Sequence, residues 1–224
     1  MAESPDTVVG EQGELLADDR VALPIVSSER VFEGRVWNIR REGFELAGEE
    51  IVREFMNHTG AVGVLAIDEH DRVLLIKQYR HPIRMRDWEI PAGLLDVEGE
   101  SPLVGAQREL AEEADLVASE WAVLADFAPS PGGSDEVIRV YLARGLRAAP
   151  EVFAREAEEA ELEVRWVPLD DCVDAVLARR IHNGPLSIAV LAAHAARARG
   201  WRGLGEAEAP WPSRTAPVRG ATGS

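Results

Sequence analysis

The segment Gly93-Leu-Leu-Asp-Val-Glu-Gly-Glu100, seven residues, then Arg108-Glu-Leu-Ala-Glu-Glu113 constrains this chain more than any other. The spacing predicts a helix. Ser101 is placed to cap it and Pro102 to occupy its first turn. Leu103, Ala106, Leu110 and Ala114 supply an apolar stripe that has to be pinned to a core. Glu109, Glu112 and Glu113 stand three and four residues apart, so their carboxylates share one face. Like charges crowded in this way repel, and a cation normally offsets the cost. Hard divalent ions such as Mg²⁺ or Mn²⁺ take oxygen ligands of this kind, often alongside substrate phosphates. A bare Glu-x-x-Glu-Glu is more commonly a solvated face, with Arg108 and Glu112 as an ordinary i,i+4 pair. The additional fixed elements here reverse that balance.

Composition narrows the function classes. A net charge of −16 argues against nucleic acid or an anionic membrane as a general partner. An acidic protein that handles an anionic substrate needs a local basic cluster, and Arg80, His81, Arg84 and Arg86 provide one. The single Cys172 excludes an intramolecular disulfide, fits a reducing cytoplasm and reads as structural. No secretory leader and no membrane-length apolar run is visible, so a cytoplasmic location is expected.

The chain reads in four parts. Residues 1–20 are polar, acidic and without period, and are expected to be poorly ordered. Residues 21–58 carry short strand-like runs, Arg30-Val-Phe, Gly34-Arg-Val-Trp-Asn-Ile and Gly43-Phe-Glu-Leu. Gly48-Glu-Glu is a turn signal before Ile51–Phe55, so this part predicts antiparallel hairpins. Residues 59–203 form the main α/β unit, with strands at Val62–Ala66, Val73–Gln78, Trp121–Phe127, Val137–Leu142 and near Leu162–Trp166. Helices are expected from Pro168 to about Arg180 and from Pro185 to Arg199. Residues 204–224, rich in Pro and Gly, read as a flexible tail.

The acidic segment resembles the Nudix box: Gly, five residues, Glu, seven residues, then Arg-Glu-(apolar)-x-Glu-Glu-x-Gly-(apolar). Glu100, Arg108, Glu109, Leu110, Glu112, Glu113 and Leu116 match in register. Six residues separate Gly93 from Glu100 instead of five, and Asp115 replaces the second Gly. Asp tolerates the left-handed backbone that Gly would relieve just past a helix end. Trp88-Glu-Ile-Pro-Ala-Gly-Leu-Leu-Asp before the box, and Ala128-Pro-Ser-Pro-Gly-Gly-Ser-Asp-Glu136 after it, look like the ADP-ribose pyrophosphatase branch, with Pro131 fifteen residues beyond Leu116. The likeness covers about residues 30 to 200. It implies an α/β (α+β) Nudix fold, a mixed sheet sandwiched between helices with an N-terminal antiparallel β region.

The resemblance also implies chemistry. ADP-ribose, a nucleoside diphosphate derivative, would be cleaved by water to AMP and ribose 5-phosphate, with metal charge neutralisation at the centre of catalysis. Glu109, Glu113 and the carbonyl of Ala92 are the implied ligands of Mg²⁺ or Mn²⁺, with Glu112 as a partner. Arg108 would orient a box glutamate, and Glu100 would either support that arginine or stand behind the metal ligands. A general base on a late loop aligns with Glu159, with Glu158 and Glu161 as neighbouring alternatives. Arg53 and Arg80 are candidates for the phosphates or terminal ribose, because guanidinium forks suit phosphate. Pro131 and Trp37 complete the candidate substrate contacts, Trp37 either stacking on adenine or serving as core. Arg84 and Arg86 could be surface residues instead. Short hairpins make a poor independent core, so a homodimer that exchanges the N-terminal region is expected. Two rivals stand beside this reading. One is a Nudix enzyme for another nucleotide sugar or dinucleotide. The other is a non-catalytic ADP-ribose-sensing Nudix module, for which no helix-turn-helix segment is visible.

Overall fold

A computed structural model of the chain describes residues 16–150 and 162–214. It divides into two compact units, Met1–Asn57 with Gly132–Ser134, and His58–Pro131 with Asp135–Ser224. The first is an antiparallel meander of β1 (Ile25–Glu33), β2 (Asn38–Leu46) and β3 (Glu49–Asn57). Ala47 and Gly48, both at positive φ (54° and 84°), make the tight β2–β3 turn. That backbone matches the twist of the flanking strands, and Gly48 signals it in the sequence. The run from Gly34 is not one strand as its composition suggests. Residues 34–37 form the connection between β1 and β2, and a Cβ on Gly34 would lie 2.1 Å from the Trp37 carbonyl oxygen. The chain folds back on itself there, which only Gly permits.

The second unit is built around a segment with no polar side chain. Ala61-Val-Gly-Val-Leu-Ala66 forms β4 (Ala61–Ala66) and is buried along its whole length. A strand of this kind has to be covered on both faces. After it come β5 (Arg72–Arg80), β6 (Met85–Glu89), β7 (Ala92–Leu94), α1 (Pro102–Ala114), β8 (Leu116–Phe127), β9 (Ile138–Ala148), β10 (Glu163–Pro168), α2 (Leu169–Leu177), α3 (Gly184–Ala198) and β11 (Gly205–Glu206). One sheet has the order β11-β8-β9-β4-β7, and a second has β10-β5-β6. The β4–β9 pair is parallel and the other pairs are antiparallel, so the larger sheet is mixed.

The period-2 alternation of the strands sorts the core into two layers. Val62, Val64 and Ala66 pack with Leu74, Ile76, Tyr141 and the α1 residues Ala106 and Leu110. Leu65 and Ile67 point the other way, into a layer with Val73, Leu75, Val140 and Leu142. That second layer is closed by Leu169 and Cys172 of α2 and Leu186, Ala189, Val190 and Ala193 of α3. The sheet therefore lies between α1 and the α2/α3 pair. Cys172 is buried, and burial pushes its thiol up to about 11, consistent with an inert structural cysteine. Among the described residues, no helix is long and apolar enough to cross a membrane.

The expectation of a flexible tail from residue 204 fails as far as Arg214. Gly205 and Glu206 add a short edge to β8 opposite Val123 and Ala122. Arg139, 2 % exposed, anchors the residues beyond that edge. Its Nε and Nη2 donate to Asp126 at 2.8 and 2.7 Å, its Nη1 to the Ala209 carbonyl at 2.7 Å and its Nη2 to the Pro210 carbonyl at 3.2 Å. The Trp211 ring stacks 4.8 Å from the same guanidinium. Proline and glycine thus mark a docked strap here, held by a buried cation that sits far away in sequence. Replacing Arg139 with Leu strands Asp126 and frees both carbonyls. Urea denaturation should show a loss of roughly 2–4 kcal/mol, the lower end reflecting the partial exposure of Asp126. An unchanged midpoint would mean that the strap contributes nothing to folding.

Candidate active site

Helix α1 starts and stops as its residues dictate. The Ser101 hydroxyl accepts the Val104 N–H at 3.3 Å, Pro102 fills the first turn, and Asp115 closes the helix in the left-handed conformation at φ 54°. Ala106 and Leu110 are fully buried, which fixes the rotation of the helix. With that face inward, Glu109 and Glu113 are presented toward β7, and Glu112 stands beside Arg108.

Arg108 organises the carboxylates around it. Its Nε and Nη2 fork onto Glu100 at 3.0 and 3.1 Å, while its Nη1 reaches Glu109 at 2.7 Å and Glu112 at 3.0 Å. These contacts, led by Glu100, hold the guanidinium well above the ordinary arginine range, so it is a permanent cation. The Glu100 side chain is 8 % exposed and that of Arg108 30 %. A nearly buried anion therefore orients a partly exposed cation, which faces two further anions. This offsets part of the like-charge repulsion that the sequence builds into the helix.

Strand β7 closes the other side. Glu113, 5 % exposed, accepts the Ala92 N–H at 2.9 Å. Gly93 pairs with Val62 of β4, and a Cβ built on it would fall 1.9 Å from Glu109 Oε1 and 2.1 Å from its carboxyl carbon. The glycine is required by this close approach; its φ is ordinary. Two of the candidate ligands, Glu109 and Glu113, thus lie against the backbone of Ala92 and Gly93, where the third, the Ala92 carbonyl, also belongs.

The donors are all oxygens, a set suited to a hard divalent ion. In the present rotamers, no three His, Cys, Asp or Glu side chains among the described residues converge as an ion-holding group. Glu109 and Glu112 are drawn to Arg108 and Glu113 to the Ala92 amide, so an ion would compete with these contacts for the same carboxylates.

The remaining candidates are scattered. Arg80 is engaged by Glu89, its Nε donating to Oε1 at 2.8 Å and its Nη2 to Oε2 at 2.6 Å. Gln78 Nε2 also donates to Glu89, at 3.1 Å. Sequence reasoning missed Glu89, although a glutamate between Trp88 and Ile90 in an otherwise apolar run was a signal that it would be buried with a partner. Arg53 is exposed on β3, its Nη1 donating to the Val52 carbonyl at 2.9 Å, and Trp37 is half-buried in the same N-terminal unit. Pro131 is exposed. Glu159 and its alternatives Glu158 and Glu161 lie outside the described residues. At the end of the Ala128–Glu136 motif, Asp135 accepts the His58 N–H at 2.7 Å and Glu136 lies 3.3 Å from His58 Nε2. Burial lowers the His58 pKa and raises that of Glu136, and the Gly60 amide donates to Nδ1 at 2.9 Å, so the ring is neutral with its proton on Nε2.

Comparison with known proteins agrees with this geometry. A sequence model of the NUDIX domain matches residues 57–186. An ADP-ribose pyrophosphatase of Mycobacterium tuberculosis is 45 % identical over 173 residues, 76 % of this chain and 82 % of that protein. Another protein of that name, from Bacillus subtilis strain 168, is 36 % identical over 167 residues, 74 % of this chain and 89 % of its own. A solved structure described as an ADP compounds hydrolase superposes with a TM-score of 0.67 at 20 % identity, covering 83 % of this chain and all (100 %) of that one. That last likeness carries the fold alone.

Two substitutions test the carboxylate cluster. In Gly93→Ala the three atoms nearest the methyl group all belong to the flexible end of Glu109, so stability should change by less than about 1 kcal/mol. Turnover should nevertheless fall by roughly two orders of magnitude, because Glu109 has to swing away. Glu113→Gln retains an acceptor for the Ala92 amide but removes one anion. Its turnover should drop by roughly two to four orders of magnitude while metal-free stability holds or rises. Near-native turnover in either variant at saturating Mg²⁺ would remove these glutamates from the reaction.

Proposed function

The chain belongs to the Nudix family, and from that premise we propose that it hydrolyses the pyrophosphate of ADP-ribose to AMP and ribose 5-phosphate. One observation carries the reading. The acidic set on α1 is held by two partners, Glu109 and Glu112 by Arg108 and Glu113 by the Ala92 amide of β7, in a chain 45 % identical to an ADP-ribose pyrophosphatase over most of its length. Members of the family use a divalent metal ion. Glu109, Glu113 and the Ala92 carbonyl would hold it here as Mg²⁺ or Mn²⁺, where it would neutralise phosphate charge and make bound water more acidic.

The chain's own groups have distinct tasks. Arg108 holds the Glu109 and Glu112 carboxylates aimed together, and Glu100 keeps Arg108 in place. The Ala92 amide fixes the Glu113 carboxylate. Glu159, with Glu158 and Glu161 as the neighbouring alternatives, is the general base that takes the proton of the attacking water, a role that the resemblance to the branch implies. In the second unit Arg80 is the candidate for the phosphates or terminal ribose and Pro131 a further substrate contact; in the N-terminal unit Arg53 is a candidate for the same groups and Trp37 for stacking on adenine. The exposed apolar side chains Ile25, Val26, Val31 and Phe32 of β1 favour a homodimer in which they are covered.

A substrate panel with product identification under Mg²⁺ and under Mn²⁺ tests the activity. ADP-ribose should give AMP and ribose 5-phosphate with the highest kcat/KM, whereas preferred cleavage of another nucleotide sugar or a dinucleotide would replace the substrate. Glu159→Gln should depress kcat strongly with little change in ADP-ribose binding. Glu158→Gln and Glu161→Gln should leave kcat within a few-fold; loss in either one alone would move the base to that position. Sedimentation should show a dimer at micromolar concentration, and a fully active monomer would overturn the assembly.

A further inference from the structure

Strand β5 alternates so that Leu74 and Ile76 face α1, packing in the same layer as Ala106 and Leu110. By the same period, Gln78 and Arg80 leave the strand on that face. Opposite Ile76 in the register of β5 with β6 stands Glu89, so it joins them diagonally. Glu89 is 3 % exposed. Only Ile90 and Pro91 separate it from Ala92, whose amide binds Glu113. A carboxylate this deeply buried is costly unless it is paired and hydrogen-bonded. Its two oxygens receive Nε and Nη2 of Arg80 and Nε2 of Gln78.

We propose that Glu89 is a positioning residue for the reaction: its buried carboxylate, braced by Gln78, fixes the plane of the Arg80 guanidinium so that Arg80 meets the substrate pyrophosphate in one orientation. This rests on the reading of Arg80 as a phosphate contact. The Arg80 side chain is 43 % exposed against 4 % for Glu89, so the cation reaches solvent while its anchor does not. An arginine on a strand end has four side-chain torsions to lose on binding an anion. A side-on fork with a buried carboxylate removes most of that freedom in advance. The fork also keeps the local positive charge from being spent on the protein's many surface carboxylates. Gln78 adds direction, because its amide locks the carboxylate rotation that sets the plane of the fork.

The test is a mutant cycle on the full-length protein, read first as KM and kcat for ADP-ribose with Mg²⁺. Glu89→Gln should raise KM by roughly tenfold while kcat stays within about threefold. Glu89→Asp keeps the buried charge but draws the carboxylate back by one methylene, so it should fold normally and still raise KM several-fold. Combining Glu89→Gln with Arg80→Ala should be no worse than Arg80→Ala alone, because Glu89 acts through Arg80. Thermal melting identifies any variant that fails to fold, in which case Glu89→Asp and its combination with Arg80→Ala decide. The same cycle is then read as Kd for inorganic pyrophosphate by calorimetry, without turnover. That reading stands apart from the identity of the substrate: failure of the wild type to cleave ADP-ribose sinks the proposed activity, not the coupling. Additive effects of the two positions on Kd, or an unchanged Kd and KM in Glu89→Asp, would overturn the positioning role.

Discussion

Four glutamates share one corner of this protein because a single arginine stands among them. Arg108 touches Glu100, Glu109 and Glu112 at once, and without it three carboxylates on one helical turn would repel each other close to an apolar core. The pairing is asymmetric. Glu100 is nearly buried and takes both fork positions, so it sets the orientation of the guanidinium, and the more exposed glutamates adapt to it. Rotation of α1, the position of the loop before it and the aim of the acidic edge are thereby tied together. A helix packed by Ala106 and Leu110 alone could tolerate small rotations; one also fastened to the Glu100 loop cannot.

Much of this was legible in the residues. Ser101 and Pro102 predict where α1 begins, and Asp115 occupies the left-handed position that its small acidic side chain tolerates. The unbroken apolar run of β4 requires helices on both faces of the sheet, and α1 on one side with α2 and α3 on the other provide them. Local signals of this type are dependable because cap, turn and periodicity are all decided within a few residues. The failures share a different cause. Gly34–Trp37 has strand composition but is a turn, since the backbone approaches itself there. Residues 204–214 have tail composition but are docked, since Arg139, some seventy residues earlier (70 to the Ala209 carbonyl it binds), supplies the donors. Neither fact is written within the segment concerned. The short β6 and β7 were missed for the same reason, being defined by their neighbours β5 and β4 and not by length or alternation.

Gly93 is a motif position whose requirement the sequence does not state. Its φ is not in the left-handed region, so backbone freedom is not the reason for it. What excludes a side chain is the Glu109 carboxylate, which occupies the place of a Cβ. The requirement is steric and belongs to the site, whereas at Gly48 it is conformational and belongs to the fold. Sequence alone does not separate the two, because both appear as one letter.

The two arginines near the acidic helix follow one design. Arg108 is held by Glu100 and Arg80 by Glu89, and in each pair the anion is buried (8 % and 4 % exposed) while the cation is partly open (30 % and 43 %). In a chain of net charge −16, a mobile arginine would find a surface carboxylate before it found a phosphate. Binding each guanidinium to an anion that cannot move settles that competition in the folding step. The carboxylate lowers the net positive potential the arginine presents, and in exchange it fixes where the remaining potential points. For a substrate whose two phosphates must be placed against a particular helix edge, direction is worth more than strength, since attraction that is equal in ground and transition states does not accelerate a reaction.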